Sequence, residues 1–269
     1  MRLRDVTGRV RDAGSTAALR ALCLVTGGAP RVVDGVRMHR SRVLSGPLRG
    51  KTMSMPTLER LSFALGTYEP HVARAISEYV RPDAVAYDVG ANAGYLSMLM
   101  ASRAGPAGSV FSFEPDRRNA AALRENLRAN NFPTVTIIPS AVSDTSGHLT
   151  FATFRYSLVG QIATAATASD AVMVDVPCTT LDDFIYGQGH AAPQFIKIDV
   201  EGAEERVFAG GGRTLREARP VIVAEIRSAV WPAIERMTRD CGYTSRPLAG
   251  KDYWAAEYGV NDLLLLPPQ

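Results

Sequence analysis

The amino-acid sequence predicts an α/β fold in which helices cover both faces of a mainly parallel sheet. From residue 84 onward, short β-branched or aromatic runs alternate with amphipathic stretches, which is typical of strands joined by helical crossovers. Prolines and glycines fall between these runs, and no internal repeat interrupts them. The 269 residues are 46% hydrophobic and 21% charged, so a disordered or fibrous chain is excluded.

The N-terminal part of the chain differs in charge from the rest. Residues 1–60 contain 12 Lys/Arg against 4 Asp/Glu, whereas residues 61–269 contain 18 against 23. We interpret residues 1–55 as a basic, helical extension and residues 56–269 as the main domain. A basic segment can bind nucleic acid, but its first arginines have no interleaved aromatic side chains on which bases could stack. Packing on the domain, or on a second subunit in a homodimer, is the favoured role.

Nothing in the sequence predicts a membrane span, a disulfide or a zinc site. The apolar run at 17–25 is shorter than the ~18 residues that a span requires, is interrupted by Arg20 and lacks a convincing cleavage site. Cys23, Cys178 and Cys241 are far apart and form no CxxC pair. We therefore expect a cytoplasmic protein without a dedicated metal site, although weak magnesium binding by carboxylates stays open.

The elements before residue 140 follow from periodicity. Helices are placed where apolar residues recur on one face, as Ala120, Leu123 and Leu127 do, and strands where β-branched or aromatic residues are consecutive. The predicted order is helices at 57–65 and 70–79, a strand at 84–89, a helix at 94–102, a strand at 109–114, a helix at 117–130 and a strand at 134–138.

The second half of the chain continues the alternation after an elaboration. Residues 149–176 contain strand-like pieces between loops, and Thr180 with Asp183 resembles a helix-capping arrangement. The predicted order is then a helix at 181–186, a strand at 195–199, a helix at 203–209, a strand at 221–226, a helix at 231–241 and strands at 253–255 and 262–266. Only a short loop joins the last two strands, so they should form an antiparallel hairpin near one edge of the sheet.

The segment from Asp88 to Tyr95 ends the first strand of the sheet and opens the next helix. Gly90 and Gly94 permit a tight turn and a close approach of a ligand to the backbone. The GxGxxG spacing of dinucleotide sites is absent, and the Asp88 carboxylate would repel a pyrophosphate. This carboxylate could instead hold an ammonium group or hydroxyls of a ligand.

Glu114 ends the second strand, where a carboxylate can accept hydrogen bonds from both hydroxyls of a ribose. The alternative role, capping the next helix, can be filled by Asp116. Residues 140–144 follow the third strand and would border an adenine ring. Together with Asp88, Asp199 and Glu225 at other strand ends, Glu114 makes the predicted mouth negative, which favours a cationic ligand over a phosphate-rich one.

Several motifs in register resemble a known family. They are GTYEP at 66–70, DVGANAG at 88–94, FEP at 113–115, AVSD at 141–144, TLDDF at 180–184 and IKIDVEGAE at 196–204. Their order is typical of the FkbM family of S-adenosylmethionine-dependent methyltransferases. The resemblance implies a class I methyltransferase (Rossmann-like) fold, with a seven-stranded sheet whose last strand is antiparallel. It also implies methylation of a hydroxyl group on a small metabolite, natural product or glycosyl group.

Carried over position by position, the resemblance implies a cofactor site for S-adenosyl-L-methionine. The 88–94 loop would hold its methionine part, Glu114 its ribose and residues 141–143 its adenine, while Asp199 would lie beside the sulfonium. The cofactor-binding residues implied in this way are Tyr68, Glu69, Asp88, Gly90, Ala91, Asn92, Gly94, Tyr95, Glu114, Pro115, Ala141, Val142, Ser143 and Asp199.

Methyl transfer requires an in-line approach of acceptor oxygen, methyl carbon and sulfur, and a base helps to remove the hydroxyl proton. The candidate catalytic residues, in order of preference, are Asp199, Glu201 and Glu225. His71 could swing over the site, although a lone helical histidine is more often a surface or packing residue. Lys197 lies two positions before Asp199 in a strand, so it shares a face with Asp199 and could pair with a carboxylate there.

After the fifth strand, many family members carry a histidine two positions beyond the glutamate, where this chain has Arg227. This departure puts a histidine-dependent role in doubt and could signal an acceptor with a carboxylate or phosphate. A carboxylate O-methyltransferase and a non-catalytic nucleoside-binding module therefore stay open, whereas the loop spacing argues against a nicotinamide-dependent dehydrogenase. Acceptor selectivity is expected from residues 15–26 and from 153–172, which include Tyr156.

Overall fold

The structure is a computed structural model, and it describes residues 3–4, 10–11, 30–56, 61–154, 160–163, 171–249 and 259–269. In chain order its strands are β1 (Leu3–Arg4), β2 (Val10–Arg11), β3 (Arg31–Val33), β4 (Val36–Arg42), β5 (Thr52–Met55), β6 (Val85–Val89), β7 (Ser109–Phe113), β8 (Val135–Ile138), β9 (Ala141–Val142), β10 (Gly147–Thr153), β11 (Gly160–Ile162), β12 (Val172–Thr179), β13 (Phe195–Ile198), β14 (Val221–Arg227), β15 (Thr244–Pro247) and β16 (Val260–Leu266).

The helices of the described residues are α1 (Leu61–Leu65), α2 (Pro70–Tyr79), α3 (Tyr95–Ala104), α4 (Arg117–Asn130), α5 (Glu204–Ala209), α6 (Gly212–Glu217) and α7 (Trp231–Arg239). A π-helical turn covers Asp183–Gly187. Within the described part of the chain, no helix combines the length and the apolar character needed to cross a bilayer.

Seven strands form the central sheet, in the order β8-β7-β6-β13-β14-β16-β15. Strands β8 to β14 in this order are parallel neighbours, whereas β16 is antiparallel to both β14 and β15. The chain order reverses between β6 and β13, so the carboxyl ends of these two strands flank a crevice. The predicted α/β class, the parallel sheet and the antiparallel last strand are confirmed.

Both faces of this sheet are covered, because alternate residues of each strand point to opposite sides. In β13, Phe195 packs in one buried cluster with helices α2, α3 and α4, and Ile196 packs in another with α5, α6 and α7. Lys197 is the register partner of Asp88 in the neighbouring strand β6. These two residues therefore share the face that α3 covers.

Residues 30–56 depart most clearly from the expected fold. The helical extension predicted for residues 1–55 is wrong for this part of it, because β3, β4 and β5 pair as an antiparallel sheet. Asp34 and Gly35 have φ values of 50° and 76° and form the two-residue loop between β3 and β4. An Asp-Gly pair between two valines is a strong hairpin signal, so this turn could have been recognised from the sequence.

Strand β5 is bound to the rest of the molecule through helix α4. The side chain of Asn126 accepts the Ser54 N–H at 2.6 Å and donates to the carbonyl oxygens of Ser54 at 3.0 Å and Ala93 at 2.8 Å. Asn130 contacts the backbone N–H and carbonyl of Thr52 in the same way, both at 2.8 Å. Both methionines of β5 are fully buried in the cluster that contains α2, α3 and α4. These strands therefore share the core of the domain.

A second sheet, in the order β11-β10-β12-β9, corresponds to the elaboration predicted for residues 149–176. Strand β12 joins it to β9 through a short parallel pair, Cys178 with Ala141 and Thr179 with Val142. The expected capping contact beyond β12 is confirmed, because Thr180 Oγ1 accepts the Asp183 N–H at 2.8 Å.

The edge strand of the central sheet differs from the predicted one. Strand β16 pairs with β15, whose residues are mostly exposed and lack a β-branched or aromatic run. No hydrophobic pattern in the sequence therefore predicts β15. The strand expected at 253–255, the helix start at 57–60, residues 15–26 and Tyr156 all lie outside the described residues.

Candidate active site

A pocket opens at the carboxyl ends of β6, β7 and β13, beside the point where the strand order reverses. It encloses about 590 Å³ of empty space, part of it open to solvent. The predicted site residues that line it are Gly90, Asn92, Glu114, Pro115, Ala141, Val142, Asp199 and Glu201. Residues that are far apart in the sequence thus meet around one pocket.

The loop after β6 requires glycine at its first position. Gly90 has a φ of 81°, and a Cβ atom there would collide with the carbonyl oxygen of Asp199. The N–H groups of Gly90 and Ala91 both donate to the Phe113 carbonyl, at 3.1 and 3.0 Å. The loop is therefore packed tightly between the ends of β7 and β13, at the edge of the pocket.

Glu114 lies at the tip of β7 and is 5% exposed. One carboxylate oxygen accepts the Asn92 N–H at 2.7 Å, and the other accepts the Asp116 N–H at 2.8 Å. Burial, and then the charge of Asp116, raises the pKa of Glu114 to about 8. Asp116 also caps α4, as expected. The Glu114 carboxyl group is thereby fixed in the pocket wall, where its oxygen atoms can accept hydrogen bonds from ligand hydroxyls.

One side of the pocket combines expected and unexpected residues. Ala141 and Val142 line it as predicted, but the side chain of Ser143 is fully buried and donates to the next residue, Asp144, at 3.0 Å. Phe151 and Ile162 of the second sheet also line the pocket. Ile162 lies in the 153–172 stretch that was expected to set acceptor selectivity, whereas sequence reasoning missed Phe151, because no local pattern shows that its strand lies beside the pocket.

A smaller pocket of about 210 Å³ shares Gly90 and Asn92 with the first. Its aromatic lining consists of Phe63, Tyr68 and Tyr95, and the rings of the two tyrosines lie 5.6 Å apart. The Tyr95 hydroxyl is buried without a hydrogen-bond partner among the described residues. A ligand atom that accepts a hydrogen bond would satisfy it.

Not every predicted cofactor residue lines one of these two pockets. Tyr68, Ala91 and Tyr95 line the smaller one, whereas Glu69 and Gly94 line neither. Glu69 precedes α2 with a φ of 41°. A Cβ atom at Gly94 would collide with the Leu123 side chain, so this glycine serves the packing of α3 on α4.

The carboxylate of Asp88 lies in the protein interior, which disagrees with its predicted direct contact with the cofactor. It is fully buried, accepts a hydrogen bond from Ser97 Oγ at 2.5 Å and lies 3.4 Å from Lys197 Nζ. The reason is strand alternation, which turns Asp88 toward the face that α3 covers. The expected pairing of Lys197 with carboxylates is confirmed, since its Nζ also lies 3.7 Å from Asp199.

The three candidate catalytic carboxylates meet at the mouth. Asp199, Glu201 and Glu225 each place an oxygen within 4.8 Å of the other two. Like charges this close repel one another, so the cluster is suited to a cation or to hydroxyl donors. Oxygen atoms of this kind can bind a divalent cation, and they also cluster in proteins without one. Among the described residues, no histidine or cysteine joins the group.

Two further candidates differ in their distance from the pocket. Arg227 lies at the end of β14, with its Nη2 atom 3.6 Å from Glu201 and its side chain 42% exposed. His71 is exposed on α2 and lines neither pocket. Arg227 thus pairs with a residue that lines the main pocket.

A seven-stranded sheet in this order, with an antiparallel last strand and a pocket at the parallel strand ends, is the fold of class I methyltransferases. A solved structure from Clostridium thermocellum, provisionally named an rRNA methylase, has a TM-score of 0.51 and 10% identity. The similarity covers 74% of this chain and 95% of that one, and it concerns the fold alone. The chain belongs to the family of the methyltransferase FkbM domain, whose sequence model matches residues 88–245. The resemblance seen in the motifs is thereby confirmed.

Two curated relatives are similar to this chain. The 2-O-methyltransferase NoeI of Sinorhizobium fredii is 29% identical, with 54% of this chain and 64% of NoeI covered. The hexuronic acid methyltransferase AglP of Haloferax volcanii is also 29% identical, with 61% of this chain and 64% of AglP covered. The chain thus spans less than two thirds of either relative.

Proposed function

We propose that this protein is an S-adenosylmethionine-dependent O-methyltransferase that acts on a hydroxyl group of a small metabolite, natural product or glycosyl group. Membership of the FkbM methyltransferase family and similarity to a relative named a 2-O-methyltransferase support the proposal. The observation that carries it is the position of Glu114, a buried carboxyl group at a strand tip in the wall of the pocket at the parallel strand ends.

The residues around the pocket fit this cofactor. Glu114 can accept hydrogen bonds from ribose hydroxyls, and the apolar side chains of Ala141 and Val142 suit an adenine ring. The smaller pocket, with the unsatisfied hydroxyl of Tyr95, suits the methionine end. When bound, S-adenosylmethionine supplies a methyl group on positively charged sulfur, and the acidic mouth is complementary to that charge.

Asp199 is the preferred base for the acceptor hydroxyl. It follows β13 directly and lines the pocket, and its side chain is 13% exposed. A carboxylate in this position can accept the proton that an attacking hydroxyl loses. Glu201 is the second candidate because it also lines the pocket, and Glu225 is the third because it reaches the cluster from β14 without lining the pocket.

Arg227 favours a second candidate function, methylation of a carboxylate. Its guanidinium is partly exposed beside the pocket residue Glu201, and a guanidinium can bind a carboxylate through two hydrogen bonds. The relative AglP is named a hexuronic acid methyltransferase. An acceptor held by Arg227 could therefore react at its carboxylate rather than at a hydroxyl.

Titration calorimetry tests the cofactor part of the proposal. The protein should bind S-adenosylhomocysteine and should not bind NAD. Binding of NAD alone would identify a dinucleotide enzyme and contradict the proposal. Asp199→Asn should lose much more of its turnover than of its affinity for S-adenosylhomocysteine, since it keeps the shape of the side chain and removes the base.

An acceptor screen separates the remaining alternatives. Neutral sugars, uronic acids and their methyl esters are incubated with S-adenosylmethionine, and product masses are inspected for one added methyl group. A methyl that survives mild alkali is an ether and supports the hydroxyl reaction, whereas a methyl that alkali removes is an ester and supports the carboxylate reaction. Cofactor binding without turnover of any acceptor would favour a nucleoside-binding module.

A further inference from the structure

Lys197 has a buried, positively charged side chain that the proposed methyl transfer does not use. It lies in β13, and its side chain is 5% exposed. Its Nζ atom donates to the Gly90 carbonyl oxygen at 2.8 Å and lies 3.4 Å from Asp88 and 3.7 Å from Asp199. One ammonium group therefore contacts the end of β6, the loop after it and the residue that follows β13.

The surrounding carboxylates keep Lys197 charged. Burial lowers the pKa of Lys197, but Asp88, then Asp199 and Glu69, together raise it by more, so that it lies above the value of an exposed lysine. Removing one partner of a buried ion pair leaves an uncompensated charge and is strongly unfavourable. Lys197 and Asp88 therefore depend on each other.

Asp88 is fixed from its other side by hydroxyl groups. Ser97 Oγ donates to Asp88 at 2.5 Å, and Ser112 Oγ donates to Ser97 Oγ at 2.9 Å. These three side chains are fully buried. Asp199 lines the main pocket and Lys197 lines the smaller one, whereas Asp88 lines neither. Asp88 can therefore affect a ligand in these pockets through its contact with Lys197.

We propose that Lys197 is a positioning residue for the cofactor site, and that Asp88 contributes to cofactor binding only by holding Lys197 in place. The inference rests on the proposed function, because it takes the pocket to bind S-adenosylmethionine. Lys197 fixes the Gly90 carbonyl, and with it the course of the loop at the pocket edge. It also orients the Asp199 carboxylate. The loop after β6 and the Asp199 side chain are thereby held in a fixed position relative to each other.

A double-mutant cycle tests this role, with affinity for S-adenosylhomocysteine measured by titration calorimetry. The variants are Lys197→Met, Asp88→Asn and their combination, which replaces the buried pair by neutral side chains of similar size. Ser102→Ala is the control, because it removes a hydroxyl group from the same helix, α3, whose hydrogen bond goes to the Met98 carbonyl oxygen, and it leaves the pair of Asp88 and Lys197 in place. Thermal unfolding of each variant separates loss of fold from loss of affinity.

Each single variant should bind at least about tenfold more weakly than the wild type, because Lys197→Met leaves Asp88 as a buried charge without a cation and Asp88→Asn removes the carboxylate that stabilises the Lys197 charge most. Adding Asp88→Asn to Lys197→Met should cost no further affinity, within about twofold, and Ser102→Ala should stay within about threefold of the wild type. Lys197→Met should also turn over more slowly at saturating cofactor, since Asp199 loses its orientation. A merely structural ion pair would lower the melting temperature without this loss of turnover.

Several results would contradict the proposal. A further loss of about tenfold on adding Asp88→Asn to Lys197→Met would place Asp88 in direct contact with the ligand and overturn the proposal. Wild-type affinity and turnover in Lys197→Met would overturn it too. If neither Lys197→Met nor Lys197→Gln folds, with or without Asp88→Asn, the pair is purely structural and the proposal is wrong. A wild-type protein that binds no S-adenosylhomocysteine would instead contradict the proposed function.

Discussion

The Glu114 carboxylate accepts hydrogen bonds from the N–H groups of Asn92 and Asp116, which lie in two different loops. It therefore joins the turn after β6 to the turn after β7. Gly90 makes a second junction of this kind, since its missing side chain lets the first turn approach the Asp199 carbonyl. Single residues thus set the distances between the strand ends around the pocket.

The titration of Glu114 should be visible in the stability of the protein. Burial, followed by the charge of Asp116, raises its pKa from 4.5 to about 8. Between these pH values the unfolded chain releases a proton that the folded protein retains, so the free energy of unfolding falls as pH rises, by at most about 1.4 kcal/mol per pH unit. In Glu114→Gln this contribution disappears. Urea unfolding across the interval should show a smaller decrease with pH in the variant, and an equal decrease would contradict the assignment.

Substitution of Gly90 should lower the free energy of unfolding by more than the backbone strain at this position accounts for. Gly90 and Gly189 have similar φ values, 81° and 77°, but a Cβ atom at Gly189 would meet nothing within 4 Å. Gly189→Ala should therefore lose only about 1–2 kcal/mol of unfolding free energy. Gly90→Ala should lose clearly more and should weaken S-adenosylhomocysteine binding, because the loop must move away from Asp199. Equal losses in the two variants would show that the close approach is unimportant.

Among the elements, those with strong local periodicity were the ones that the sequence located best. Helix α4 has the predicted bounds, Arg117–Asn130, because its apolar face repeats over several turns. Strands β3, β4, β5 and β15 were missed. Several of their residues are exposed, and β15 has no hydrophobic run, whereas the Asp34-Gly35 turn between β3 and β4 is a local signal that hydrophobic periodicity does not detect.

Helix α4 should also hold β5 through Asn126. The fully buried Asn126 side chain makes three hydrogen bonds to backbone groups, whereas the half-buried Asn130 bonds to Thr52 at the end of the strand. Asn126→Ala should lower the free energy of unfolding by about 3 kcal/mol, and Asn130→Ala by about half as much. Urea unfolding of both variants gives the comparison. Losses of the reverse order would show that β5 is held mainly at its outer end.

At the scale of the whole molecule, residues 30–56 belong to the same core as the methyltransferase sheet. A chain starting at residue 57 should therefore unfold at a lower urea concentration than the full chain, because the buried methionines of β5 and the partners of Asn126 are lost. A truncated chain of unchanged stability would show that the basic segment is separable.

The site was predictable where its signals were local. The loop at 88–94 and Glu114 stand at strand ends, and both were placed near the pocket from sequence spacing alone. The side on which the Asp88 carboxylate lies depends on which face α3 covers, and the contribution of Phe151 depends on how the second sheet folds. Such long-range contacts produce no recognisable pattern in the residues that are adjacent in the sequence.

The second sheet brings Phe151 and Ile162 to the pocket and is linked to β9 by only two residue pairs. The wall of the pocket that we assign to the proposed cofactor is therefore built from two stretches of chain, the strand tips of the central sheet and the second sheet. Over evolutionary time, β10, β11 and their connections could be exchanged or remodelled while the strand tips stay constant. A chimera that carries this insertion from a relative would show whether substrate preference is inherited with it.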